Sequence, residues 1–176
     1  MNKLKIPRRE GRFGKVNLRP ENHGDKHVPA CDVPVTFAGG KREIDNLIPC
    51  EGGKASDILY DKKGNLKMAV LNPHQVHRKP DSLVILIHDA KSPLKFIDAS
   101  AKDFEIELRP KWACEISTKL QVHPGKGQIE RLSALMMEKC DLEIEATQED
   151  LFGEQDNEGG QDDAGDEAQQ DLVDDE

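Results

Sequence analysis

Trp112-Ala113-Cys114-Glu115-Ile116-Ser117-Thr118-Lys119-Leu120-Gln121-Val122 is the stretch that decides the fold. Trp112, Cys114, Ile116, Thr118, Leu120 and Val122 alternate with Ala113, Glu115, Ser117, Lys119 and Gln121. Successive side chains of a strand point to opposite faces, so this two-residue period marks a strand buried on one side and wet on the other. Half-buried strands of this kind belong to antiparallel sheets. The run is longer than the usual strand, so a bend or bulge is expected partway.

Upstream, Leu83–His88, Leu94–Ala99 and Phe104–Leu108 read as further strands, separated by Pro, Gly and Asp turns. Downstream, His123-Pro124-Gly125-Lys126-Gly127 breaks the pattern. Gln128 to Met137 then fits a helix with Ile129, Leu132, Leu135 and Met136 on one stripe. Lys139 to Ala146 closes the body as a strand, with Cys140, Leu142, Ile144 and Ala146 inward. Nearer the start, Phe13–Leu18 and Val28–Phe37 are extended and flank a turn-rich segment, Arg19 to His27, which reads as a long hairpin loop. Lys41–Ile48 spans two helical turns with Ile44, Leu47 and Ile48 together, stopped by Pro49 and Gly52-Gly53. Ser56–Tyr60 is ambiguous, Asp61–Asn65 is a turn, Leu66–Leu71 a short strand, and Asn72 to Pro80 a loop.

Strands and helices do not alternate regularly, so a doubly wound parallel sheet does not fit. The reading is a mainly β (α+β) chain: an antiparallel β-barrel or sandwich with one or two short helices. Three parts follow: a mobile basic arm over 1–12, a single β-rich domain over 13–146, and a disordered acidic tail over 147–176. The tail is Asp, Glu, Gln, Gly and Asn with only Leu151-Phe152 and Leu172-Val173 apolar, too little to offset the entropy of ordering it.

Charge divides the chain near Cys140. None of the 25 Lys and Arg lies beyond it, whereas 16 of the 34 Asp and Glu do, so the body carries +7 and the rest −16. Counted to Glu145, the body's excess falls to +4. A cationic body tied to an anionic tail is a common plan among proteins that handle nucleic acid and recruit partners.

No apolar run approaches the roughly 20 residues that span a bilayer, so no membrane association is expected. Met1 to Arg9 is basic but lacks the apolar core of a secretory signal. Cys31, Cys50, Cys114 and Cys140 are widely spaced, with no C-x-x-C pair, and read as reduced thiols in the cytoplasm of a host cell. His23/His27 and His74/His77 have metal-like spacings. Gly24, Pro20 and Pro29 argue against a helical zinc pair, and the second pair has no matched cysteines, so no metal or other cofactor is expected. Gly125-Lys126-Gly127-Gln128 lacks the spacing and hydroxyl of a phosphate loop. The strand carboxylate pairs Glu105/Glu107 and Glu143/Glu145 read most simply as solvent faces. No catalytic residue is assigned, and the expectation is a protein that is not an enzyme.

Lysine and arginine neutralise phosphates without any base-reading code, and single-strand binders add aromatic faces on which bases stack. The candidate nucleic-acid contacts are therefore Lys5, Arg8, Arg9, Arg12, Phe13, Lys15, Arg19, Lys41, Arg42, Tyr60, Lys62, Lys63 and Trp112. Phe96 and Phe104 read as core.

The tail, ending Asp171-Leu172-Val173-Asp174-Asp175-Glu176, resembles the acidic C-terminal tails of single-stranded-DNA-binding proteins of bacteria and phages. The opening Lys15 to Ala30 is similar to the start of uncharacterised phage proteins associated with DNA metabolism. The first resemblance implies an OB-like barrel that carries single-stranded DNA. It also implies a tail, here Asp171, Leu172, Val173, Asp174, Asp175 and Glu176, that docks replication or recombination proteins. The expected function is a single-stranded DNA-binding accessory protein, with a homodimer as the assembly considered. The alternative is a DNA-mimicking inhibitor of a host nuclease or defence complex, and a third reading is a structural adaptor.

Overall fold

Ala113–Val122 forms strand β7, and Cys114, Ile116, Thr118, Leu120 and Val122 all turn inward and are buried. The period read from the sequence is the period of the strand. A computed structural model of the protein describes residues 4–23, 26–67, 73–77, 79–89 and 92–147. Among these, the other strands are β1 (Lys5–Phe13), β2 (Asn17–His23), β3 (Lys26–Gly39), β4 (His74–Val76), β5 (Leu83–His88), β6 (Pro93–Arg109) and β8 (Lys139–Ala146). The helices are α1 (Lys41–Leu47), α2 (Ala55–Leu59) and α3 (Gln128–Ala134).

Every pairing is antiparallel, and the order β1-β8-β5-β6-β7-β3 returns to β1 through Gly11↔Phe37, Arg12↔Thr36 and Phe13↔Val35. Six strands thus close into a barrel, with β2 added to β3 and β4 to β6. Closure leaves these six without a free edge. The expected mainly β antiparallel barrel is what the chain forms, and it is consistent with an OB-like barrel, a class usually built on five strands. The interior is a single core in which Ile6, Phe13, Val33, Ile85, Phe104, Ile116 and Ile144 are among the fully enclosed side chains.

Bulges explain where the strands depart from the sequence reading. Leu94–Ala99 and Phe104–Leu108 are one strand, β6, because Asp98 and Asp103 take positive φ (53° and 55°) and let the chain kink without leaving the ladder. The register shifts fall at those residues, opposite β5 and β7 respectively. Such bulges are how a long strand turns a barrel corner. The described part of the basic arm is likewise a barrel strand, β1, from Lys5 onward, with Leu4 and Ile6 buried. A bulge between Ile6 and Arg9, at Pro7, moves the inward phase from Leu4 and Ile6 to Gly11 and Phe13. No single period therefore runs through it.

The loop expected over Arg19–His27 is mostly ladder: β2 and β3 pair from Asn17↔Asp32 to His23↔Lys26. Leu66 makes only an isolated bridge to Tyr60, and 68–72 lie outside the described residues. Ser56–Tyr60 resolves into α2, and β4 falls inside the expected 72–80 loop. The last helix stops at Ala134, and Met136 and Met137 are exposed rather than on the stripe. At the carboxyl side, the Thr147 N–H and hydroxyl both donate to the Ser82 carbonyl, so Thr147 belongs to the fold and not to the tail. No helix among the described residues is long and apolar enough to cross a membrane.

Candidate nucleic-acid interface

The β6–β7 hairpin turns at Pro110-Lys111-Trp112, with Lys111 and Trp112 both at positive φ (64° and 54°). Ala113 N–H reaches the Pro110 carbonyl at 3.4 Å. Two consecutive left-handed residues form the mirror-image turn that suits a twisted hairpin, a place normally taken by Asn-Gly. Trp112 therefore starts the turn side of the hairpin, not the strand expected from Trp112 onward.

The 61–65 turn lies against this tip. Lys111 N–H donates to the Gly64 carbonyl at 2.7 Å. Gly64 sits at φ 81°, and a Cβ there would stand 2.8 Å from Trp112 Cε3, so the indole occupies the space a side chain would need. Asp61 Oδ1 accepts from the backbone N–H groups of Lys63 and Asn65, at 2.8 Å each. Those hydrogen bonds, led by Asn65, hold the Asp61 carboxyl below its ordinary range. The ionised side chain is used inside the turn, and Lys62 and Lys63 are left exposed.

Tyr60 braces the tip from below. Its hydroxyl lies 3.1 Å from the Arg109 carbonyl and 3.2 Å from that of Ala113, and the residue is 2% exposed. Burial pushes its phenol up to about 12. Tyr60 is thus a support, with no face for a base, and Phe13, 1% exposed in the core, has none either. The sequence offers both as stacking residues, and burial leaves neither ring a face for a base.

At the end of β3, Gly39 pairs with Cys114 and leads into α1. A Cβ on Gly39 would meet Ile116 Cδ1 at 2.6 Å, so only glycine lets β3 pass this close. Glu43 is buried; it accepts from Gly40 N–H at 2.9 Å and from Arg9 Nη2 at 2.9 Å. Arg9 also donates to the Ala38 carbonyl at 2.6 Å and lies 6.0 Å from the Phe37 ring centre. Arg9 thus clamps α1 to β1. It fixes Lys41 and Arg42 at a helix start that approaches the Trp112 carbonyl, 3.9 Å from where a Gly40 Cβ would be.

The structure therefore brings Lys62, Lys63 and Trp112 to one hairpin tip and adds Lys111 and Arg109, while α1, which carries Lys41 and Arg42, starts close by at Gly40. Lys41 pairs with Asp57 at 3.1 Å, and Arg109 with Glu115 and Glu107 at 3.3 and 3.5 Å. Arg42, Lys62, Lys63 and Lys111 are exposed and have no ion pair among the described residues.

The remaining candidates lie elsewhere. Lys5 pairs with Glu145 at 2.7 Å and Arg8 with Asp141 at 2.8 Å, both across the β1–β8 ladder. Arg12 is exposed farther along β1, and Lys15 is exposed just past it. Arg19 bridges Glu21 and Asp32. Burial alone would raise the Asp32 carboxyl, but hydrogen bonds from Gln121 and Arg19 outweigh it and hold it low. That network pins β2 to β3 and β7. Lys111 was missed as a site residue although Pro110-Lys111-Trp112, between two alternating runs, carried the turn signal.

His74 is half-buried on β4 and His77 exposed after it, both beside a cavity of about 730 Å³ between β4 and α1. No group of three metal-binding side chains occurs among the described residues. The side chains of His23 and His27, and the docking residues Asp171 to Glu176, lie outside the described residues. No family model matches the chain, and no curated protein and no solved structure matches it either.

Proposed function

We propose that the chain binds single-stranded DNA as an accessory protein of phage replication or recombination, with the β6–β7 tip as its phosphate-holding end. One observation carries this reading: Lys62 and Lys63 of the 61–65 turn and Lys111 of the hairpin meet at one tip, joined by the Lys111 N–H to the Gly64 carbonyl, without an ion pair among the described residues. Lys5 and Arg8 on β1 and Lys139 on β8, by contrast, all face carboxylates. Cations held together without them gain most when phosphates displace their counterions. The acidic tail supports the same reading as a competitor for that tip and a docking peptide for partner proteins.

The test is oligothymidylate affinity at two salt concentrations, for the full chain and for a chain ending at Thr147. Binding should weaken with salt, and the Lys62→Glu/Lys63→Glu pair should flatten the log–log slope by about 0.7 for each phosphate it no longer neutralises. The shortened chain should bind more tightly than the full one. If neither binds at low salt the proposal fails, and if both bind equally the competing role of the tail fails.

A further inference from the structure

We infer that Trp112 is a preorganised base-stacking platform, which makes the tip select strands with unpaired bases over duplex. This rests on the proposal that the tip binds nucleic acid.

The argument begins with the backbone. A bulky side chain at positive φ is a conformational outlier, and here it follows a second one at Lys111. Asn-Gly would make the same turn without strain. Strained residues persist only where their surroundings over-determine them, and they concentrate at binding sites. The surroundings here do so: Lys111 N–H is held by the Gly64 carbonyl, Tyr60 ties the carbonyls on both sides of the turn, and Gly64 leaves room for the ring.

The ring is only partly buried against the core, so it reaches both protein and solvent. The turn it packs on and the turn it stands in both carry lysines. Lys62 and Lys63 precede Gly64, and Lys111 precedes Trp112 itself. Lysines attract the phosphates of single and double strands alike. An indole adds affinity only where a base offers a free π-face, which stacked and paired bases of a duplex do not. The lysines supply attraction and the ring supplies the choice.

Trp112 is the only tryptophan in the chain, so intrinsic fluorescence reports this ring alone. The experiment compares three probes at one salt concentration: oligothymidylate, an abasic oligodeoxynucleotide of the same length, and a duplex. Oligothymidylate should quench the fluorescence and bind roughly five- to 150-fold more tightly than the abasic strand, the range that stacking one base supports. Trp112→Asn suits the left-handed backbone and removes the ring. It should bring oligothymidylate affinity down to the abasic level and leave abasic affinity unchanged, while Trp112→Phe restores most of the difference.

Equal affinity of the native chain for oligothymidylate and abasic strand, without quenching, overturns the stacking platform and leaves lysine-based binding standing. No binding to any of the three overturns the proposed function itself. The native-chain comparison decides the matter even if Trp112→Asn does not fold.

Discussion

The β1–β8 wall and the β6–β7 tip are built from the same cationic residue types, but most of the wall's cations face carboxylates while Lys62, Lys63 and Lys111 at the tip do not, among the described residues. On the wall, Lys5, Arg8 and Lys139 face Glu145, Asp141 and Glu10 across one ladder, at 2.7 to 2.8 Å. At the tip, the one carboxylate inside the 61–65 turn, Asp61, is turned onto backbone N–H groups, and the lysines beside it have no ion pair among the described residues. The wall uses its charge for strand pairing, whereas Lys62, Lys63 and Lys111 at the tip have no ion pair among the described residues. Counting lysines along a chain cannot separate these cases, because pairing depends on which strand lies opposite.

Arg9 belongs to both regions, and removing it should have the largest effect. It stands on β1, yet its guanidinium meets Glu43 of α1 and the Ala38 carbonyl. Arg9→Ala would leave a nearly enclosed carboxylate without its partner. Losing one member of a buried pair costs about 3–5 kcal/mol, and the partial exposure of Arg9 places this case toward about 2–3 kcal/mol. Denaturant unfolding should show that loss. Arg9→Ala combined with Glu43→Gln should recover part of it, since the orphaned charge is gone.

Reversing the charge of the tip comes next. Lys62→Glu with Lys63→Glu should weaken oligothymidylate binding by roughly tenfold or more at low salt and leave the unfolding midpoint nearly unchanged. The lysines are exposed and the turn is held by Asp61 and Asn65, not by them. An equal loss of binding from charge reversal on the wall would erase the distinction between the two regions.

Lys111→Asn probes the strain in the tip. Asparagine tolerates the left-handed conformation and keeps the N–H that bonds Gly64. The expected outcome is a gain of about 0.5–1 kcal/mol in stability, together with a small loss of DNA affinity from the missing charge. A destabilised variant would show that the turn is relaxed as it stands.

How much of this was legible in the sequence depends on whether a feature is local. The alternation of β7 and β8, the apolar run of β5 and the stripe of α1 are legible directly, because each is a pattern of a few consecutive residues. β1 was hidden because its bulge at Pro7 switches the inward phase, so Lys5 to Arg12 looked like a basic arm. β6 looked like two strands because Asp98 and Asp103, ordinarily turn formers, sit at bulges inside one ladder. At the tip, the residue types of Lys62, Lys63 and Trp112 were visible. Their meeting was not, since Asp61–Asn65 and Pro110–Trp112 are far apart in the chain and join through one hydrogen bond and one glycine. The enclosure of Phe13 follows from closure of the barrel and that of Tyr60 from packing beneath the tip, and no local pattern encodes either.

The smallest effect is expected where the sequence reading placed most of its charge. Lys5→Gln with Arg8→Gln removes two cations from the wall and leaves Glu145 and Asp141 unpaired. All four side chains are substantially exposed, the least of them 37%, so water and salt replace the missing partners. Exposed pairs contribute about 0.2–1 kcal/mol each, and the double variant should lose no more than about 1 kcal/mol of stability. Its DNA affinity should change by less than about twofold, because cations already neutralised by cross-strand acids have few counterions to release. Equal salt slopes for this variant and the native chain would complete the contrast with the tip. A slope reduced as much as by Lys62→Glu/Lys63→Glu would mean that nucleic acid breaks the ladder's ion pairs on binding, and would extend the interface from the tip along β1.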